Sequence, residues 1–363
     1  MPDGLFSHCA NDGKIHWLYR PPRTMQLHEP RGPAELEANR SVEPRQTSAL
    51  APERPSISII LCTTGLRPML TECLEQISAE AQDYSDCEII VVLNGPEDGA
   101  LVEAASRFPV RLLHEPRRGV SIARNLAVHR AKGEILVFVD DDVLPADNWL
   151  EEILKGFSDP NVACVTGRVI PAGSLSLTSE RAGRYYSSQR ALSEWSLDAS
   201  NPNWYQYILG EPVGFGCNMA FRKSFLENCS LFPPDLGAGS LIGGGDEFYM
   251  YIQVVKSGFR LRHAPAAAVT HYFENDPERQ KARNAQLYAG TVAFALKLLM
   301  EERALRLETA KWLLSALRRR LRRVWNQKGL SSEPQELLTP REKVIAYLRG
   351  VTVYWRSRRM RQA

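Results

Sequence analysis

Three consecutive carboxylates, Asp140, Asp141 and Asp142, follow the apolar run Ile135 to Val139. The run reads as a buried β-strand, with the acids at its C-terminal end. Ligands of open α/β sheets bind outside the carboxyl ends of the strands. An acidic cluster there suits a hard divalent cation, which takes oxygen ligands and often bridges to phosphates. The plain alternative for an isolated Asp triplet is a solvated acidic turn. A second acidic pair, Asp246-Glu247, follows Gly243-Gly244-Gly245. The glycines allow close approach of backbone to a ligand. The alternative is an acidic helix N-terminus favoured by the macrodipole.

The elements that must position these residues are legible as an alternation. Strands are expected over Ser56–Leu61, Cys87–Leu93, Val110–His114 and the run before Asp140. Helices are expected over Arg67–Ala81, Leu101–Phe108 and Ser121–Ala131, with another at Leu150–Phe157 and a strand at Val162–Val169. This pattern predicts a mostly parallel sheet with helices on both faces. Beyond Pro171 periodicity weakens and aromatics abound. Gly214–Asn218 reads as a loop before a strand Met219–Phe221. A helix from Phe248 to Lys256 stops at Gly258, and Val269–Tyr272 follows a connection containing Pro265. Residues 1–54 read as largely unstructured, ending in a Pro-rich linker. Residues 276–363 read as a helical extension, with helices over Gln286–Met300, Thr309–Trp325 and Lys343–Arg361.

Composition excludes several classes. Of the residues, 44% are hydrophobic and 24% charged, as in soluble globular proteins. A net charge of +3 gives no reason to expect nucleic acid as a partner. The seven cysteines are scattered without a C-x-x-C pair, which argues against a disulfide framework and a zinc site. They fit reduced thiols in a cytoplasmic protein. Neither a signal peptide nor a membrane-spanning run is expected.

Three polar segments fall at the ends of the predicted strands or just before the acidic one. They are Thr63-Thr64-Gly65-Leu66-Arg67, Leu93-Asn94-Gly95, and Gly119-Val120-Ser121-Ile122-Ala123-Arg124-Asn125. Together with Asp140-Asp141-Asp142-Val143-Leu144-Pro145 they resemble glycosyltransferase family 2, a GT-A fold. The resemblance covers about Pro55 to Phe273. It implies a domain over 55–275, divided into a nucleotide-sugar half (55–170) and an acceptor half (171–275). It also implies an inverting transfer of sugar from a nucleotide-diphospho-sugar, a UDP-sugar by expectation, to a glycan or lipid-linked hydroxyl. Cell-surface glycan or glycolipid synthesis would be the setting. Thr63, Thr64, Arg67, Asn94, Arg124, Asn125, Asp140, Asp141 and Gly216 would then hold the donor. Leu93 stands where the family often has Asp. Asp142 and Asp140, with His271, would hold Mn²⁺ or Mg²⁺, although a lone histidine is more often structural. The family has Glu-Asp where this chain has Asp246-Glu247, so Glu247 falls on the position of the catalytic base and Asp246 on its partner's. A base is needed because a sugar hydroxyl is a poor nucleophile until its proton is removed.

The C-terminal helices combine arginines with leucine and tryptophan. Arg318, Arg319, Arg320, Arg322 and Arg323 oppose Leu313, Leu317, Leu321 and Val324, and the last helix carries Tyr347, Val351, Tyr354 and Trp355. That composition suits the anionic inner face of a cell membrane. The alternative is a cap on the catalytic core with its arginines in water. Two other functions remain open: a catalytically inactive glycan-binding scaffold, and a sugar-1-phosphate nucleotidyltransferase. The second would want a glycine-rich loop after the first strand, and Thr64-Gly65-Leu66-Arg67-Pro68 has one glycine.

Overall fold

The computed structural model describes residues 7–9, 15–17, 54–172, 188–210, 213–272, 276–326 and 338–362. It divides into two units, Met1–Glu53 and Arg54–Ala363. In the first, β1 (Ser7–Cys9) pairs antiparallel with β2 (Ile15–Trp17). These short strands lie in a stretch the sequence reads as largely unstructured. The linker expected before Pro55 falls mostly outside the described residues.

The second unit begins with the expected alternation. β3 (Ile57–Thr63), α1 (Leu70–Gln82), β4 (Cys87–Asn94), α2 (Gly99–Ala105), β5 (Val110–Glu115), α3 (Val120–Arg130) and β6 (Ile135–Asp140) follow in turn. The strands lie side by side in the order β5-β4-β3-β6, all parallel. β3 is an almost unbroken apolar run because both its faces are covered. Ile60 packs into one core with α3, while Ile59 and Leu61 pack into the other with Leu74 and Ile77 of α1. The chain moves outward from β3 to β5, then returns to the other side of β3 as β6. β3 and β6 therefore flank a topological switch point, where open α/β sheets form their ligand crevice.

The later half adds strands of mixed direction. They are β7 (Val143–Pro145), β8 (Val162–Pro171), β9 (Trp195–Leu197), β10 (Asn218–Arg222) and β11 (Arg260–His271). β10 lies between β6 and β8, antiparallel to both. β8 runs parallel to β11, and β7 and β9 pair antiparallel with β11. The Pro265 connection is thus part of a 12-residue strand, with a register shift between Ala264 and Ala268 that accommodates the proline. Between the strands lie α4 (Trp149–Lys155), α5 (Gln189–Leu192), α6 (Trp204–Gly210), α7 (Lys223–Asn228) and α8 (Asp246–Lys256).

Among the described residues the long helices after β11 are α9 (Pro277–Glu301), α10 (Arg306–Asn326) and α11 (Pro340–Gln362). α9 starts nine residues before the expected Gln286. Asp276 caps it by accepting from Glu278 N at 2.9 Å, and Pro277 takes the first turn, where its missing N–H is not needed. The side chains of Leu317, Arg319, Arg320, Leu321, Arg322, Arg323, Val324 and Trp325 lie outside the described residues. Among the described residues no helix is long and apolar enough to cross a membrane.

Candidate active site

The crevice is built from the carboxyl ends of β3 and β6, whose register sets Cys62 opposite Asp140. Thr63, buried at the end of β3, hydrogen-bonds the Asp141 carboxylate across the gap, and its hydroxyl lies 2.7 Å from Gly65 O. Arg67 approaches the same carboxylate at 3.9 Å from an exposed position. Thr64 is exposed on the loop beside them. Burial, then the neighbouring Asp142 and Asp140, push the Asp141 carboxyl up to about 6 despite the Thr63 contact.

Asp142 is placed by a different element. The short ladder of β7 with β11 sets His271 opposite Val143, and Tyr272 N donates to Asp142 O at 2.9 Å. His271 Nε2 consequently stands 3.4 Å from Asp142 Oδ1, an oxygen that is buried and accepts no hydrogen bond. Burial and the charge of Asp140 push the Asp142 carboxyl up to about 7. Burial lowers His271 to about 4, so it is neutral at physiological pH and able to act as a ligand. Asp140 turns the other way, to Arg124 at 3.3 Å. Among the described residues no group of three or more His, Cys, Asp or Glu side chains is gathered as a ready-made metal cage.

Arg124 joins the two acidic clusters. It projects from α3, is almost fully buried, and contacts Asp140, Gly216 O at 3.0 Å and Asp246 Oδ2 at 2.5 Å. Burial opposes its charge, but Asp246 and Asp140 outweigh that effect and hold the guanidinium protonated. Phe138 and Phe232 lie against its planar group at 6.0 and 5.5 Å. Gly216 is glycine for a reason now visible: a Cβ there would come within 3.0 Å of the Arg124 guanidinium.

α8 begins at Asp246. Asp246 is buried, and one of its carboxylate oxygens is taken by Arg124. Glu247 is half-buried beside it. Burial and the adjacent Asp246 carboxyl push Glu247 well above the ordinary carboxylate range. The glycines before the pair make room for a neighbouring helix. Gly243 and Gly245 have positive φ, and α9 packs directly on the run through Gln286, Leu287 and Phe294.

Two expected donor-binding residues take structural places. The Asn94 amide donates to Arg117 O at 2.7 Å and Glu115 O at 3.3 Å, and it accepts from Gly119 N at 2.9 Å. It therefore ties the ends of β4 and β5 to the start of α3. Asn125 exchanges two hydrogen bonds with the backbone of Phe232, at 2.8 and 3.0 Å, fastening α3 to the later half. Neither side chain faces the crevice with its polar atoms free.

Sequence reading missed two residues. Asp98 caps α2 through Leu101 N at 3.1 Å and also accepts from Leu66 N at 2.9 Å, clasping the loop after β3. Those backbone donors hold its carboxyl below its ordinary range. Its place before a short apolar helix was a findable cap signal. Arg283 of α9 bears electrostatically on Asp142 and His271. It lies far along the chain from the triplet and carries no local signal.

Known proteins resemble this chain over the region that contains the crevice. Residues 58–229 match the family model described as glycosyl transferase family 2. Glycosyltransferase AglE of Haloferax volcanii is 27% identical over 201 residues, covering 53% of this chain and 59% of that protein. The pre-mycofactocin glycosyltransferase of Mycobacterium tuberculosis is 27% identical over 187 residues, covering 51% and 36%. The chain thus spans about half the length of such curated relatives. Among solved structures, GalNAc-T7 with UDP, GalNAc and Mn²⁺ superposes with a TM-score of 0.50 at 14% identity, covering 70% of this chain and 50% of that one. That likeness speaks to the fold, and the family match and the relatives speak to the class of enzyme. Residues 58–229 thus resemble glycosyltransferase family 2, and the fold is of the GT-A type.

Proposed function

We propose that this protein transfers a sugar from a nucleotide-diphospho-sugar, a UDP-sugar by preference, to a hydroxyl acceptor with inversion. The observation that carries this reading is the meeting of two acidic clusters at the switch point, joined by Arg124. One cluster suits the diphosphate end of the reaction and the other its nucleophile.

Asp142, His271 and the nearby Asp140 would hold Mn²⁺ or Mg²⁺. The fit rests on the buried Asp142 oxygen without a hydrogen bond, and on a carboxyl that burial and Asp140 push upward. A divalent ion of this kind binds through one or two carboxylates plus substrate phosphates, so an all-protein cage is not required. When bound, it neutralises charge developing on the leaving diphosphate.

The chain's own residues do the rest. Glu247 receives the acceptor proton, since Asp246 is held by Arg124 and Glu247 is the less buried of the two. A carboxyl raised toward the working pH is the stronger base. Asp246 orients Arg124, and Arg124 keeps Asp140 and the Gly216 loop in register. Arg67 and Arg283 are cations at the rim that suit an anionic donor. Such a transferase would serve cell-surface glycan or glycolipid synthesis.

Titrating nucleotide sugars by thermal shift, with Mn²⁺ and with EDTA, tests the assignment. Stabilisation should appear with a nucleotide sugar and metal together, because a ligand of the native state raises its stability by mass action. Asp142→Asn should remove the metal-dependent part. Equal affinity with and without EDTA would overturn the metal assignment. Release of pyrophosphate in place of nucleoside diphosphate would overturn the transfer itself.

A further inference from the structure

We propose that α11 seats this protein on an anionic lipid surface through an exposed stripe of Val344, Leu348, Val351 and Trp355. The four recur at i, i+4, i+7 and i+11, so they share one face of the helix. Their exposures are 56%, 66%, 40% and 44%, an unusual amount of solvent-facing apolar surface for one short stretch.

The stripe is distinct from the face that holds α11 to the fold. Ala346, Tyr354 and Ser357 are buried on that inner side. Gly350 lies so near α9 that a Cβ would come within 2.4 Å of Ala289 O, and Tyr347 meets Tyr288 edge-on at 5.3 Å. Of the aromatic residues that marked this helix as interfacial in sequence, Tyr347 and Tyr354 therefore belong to the core contact. Val344 and Leu348 take their places outside. The helix is apolar on two sides, and only one of them is needed for folding.

Charge selects the occupant. α11 carries seven basic residues and a single acid, Glu342. Glu342 is bound by Lys281 at 2.9 Å and by Thr339. Arg341, Arg349, Arg356 and Arg359 are exposed along one flank of the stripe, and Arg358 lies over the Trp355 ring at 5.5 Å. Leucine and tryptophan entering the acyl boundary, with arginines reaching the headgroups, is the arrangement of an interfacial helix. A second copy of the chain docked by the same face in two-fold symmetry would set these arginines against one another.

The inference deepens the reading of the acceptor and, in that respect, rests on it. α9 lies between α11 and the glycine run before Glu247, so α11 docks close behind the reacting end of the domain. A lipid-linked acceptor is the class such a placement favours.

Co-sedimentation of the full chain with vesicles, without donor or acceptor, tests the surface independently of transfer. The probes are phosphatidylglycerol–phosphatidylcholine vesicles and pure phosphatidylcholine vesicles. Binding is expected to the anionic vesicles only, with release near 1 M salt, where the Debye length falls to about 3 Å. Leu348→Glu with Trp355→Ala should abolish it. Arg349→Gln with Arg356→Gln should weaken it about fivefold per charge. Val102→Glu, at an exposed position on α2, should leave it unchanged. If the apolar double variant melts early, the arginine pair decides, since those side chains lie in solvent. Equal binding to neutral vesicles, or undiminished binding by the arginine pair, overturns the proposal. So does a dimer in sedimentation equilibrium that the Leu348 variant dissolves. Any of these leaves the transfer reading standing.

Discussion

In the proposed mechanism one arginine separates the roles of Asp246 and Glu247. Arg124 takes Asp246 at 2.5 Å, while the neighbouring Glu247 is half-buried. Glu247→Gln preserves shape but accepts no proton, so turnover should fall by about 10²–10⁴. Donor affinity, read by thermal shift, should hardly change. Asp246→Asn should act differently: the Arg124 charge loses a buried partner, and stability should drop along with rate. Near-native turnover by Glu247→Gln would remove it from the mechanism. Acids after an apolar run and arginine-asparagine at a helix start are local patterns, so these groups stand out in the sequence as candidates. The sequence did not carry their partners. Asn94 and Asn125 look like ligand-facing amides in sequence, yet both bond to backbone brought from elsewhere in the chain. Nothing local distinguishes an amide that faces solvent from one that meets a carbonyl across a fold.

Among the elements, β3 through β6 were legible because buried parallel strands are continuous apolar runs with helical periods between them. β11 was only half legible. Pro265 argues against a strand, and the register shift that reconciles it is a property of the pairing with β8. β7 and β9 are three residues each, too short for any period to show. Yet β7 sets Asp142 beside His271, so part of the site hangs on an element invisible to pattern. The glycine run before α8 stands out in sequence, and the structure adds a packing reason for it. Gly245 has φ +86°, and a Cβ there would meet the Phe294 ring at 3.1 Å. Gly245→Ala should therefore cost about 1–3 kcal/mol, as a non-glycine residue held in left-handed backbone does. Gly244→Ala meets only Leu287 at 3.8 Å and should be near neutral. Urea midpoints at unchanged slope would compare them. Equal losses at both positions would mean that packing of α9 on the run is not what selects glycine.

Across the whole second unit, the C-terminal helices are part of the folded domain, whatever surface α11 meets outside. Lys297 of α9 contacts Asp235 at 3.1 Å and Glu301 at 3.0 Å in a largely buried position. Arg361 of α11 contacts the same two acids, at 3.2 and 2.5 Å, and Ser357 donates to Asp235. Asp235 belongs to the segment whose Leu236 carbonyl accepts from Ser121 at the start of α3, so the end of the chain is fastened to the site's own scaffold. A network joined from such distant positions leaves no periodic trace in sequence. It does leave a pH signature. Burial alone would raise Glu301, but Arg361 and Lys297 outweigh it and hold its carboxyl at about 2, below the ordinary value of 4.5. The unfolded chain then binds more protons than the folded one between those values, so stability falls as the solution is acidified through that window. The contribution of Glu301 is complete above about pH 4.5 and lost as pH approaches 2. Glu301→Gln lacks this dependence. Melting temperatures measured from neutral pH to about pH 3 should show the wild type ahead at neutral pH and the gap closing on acidification. A gap that stays constant over that range would mean that the paired carboxylate does not hold the C-terminal helices to the domain.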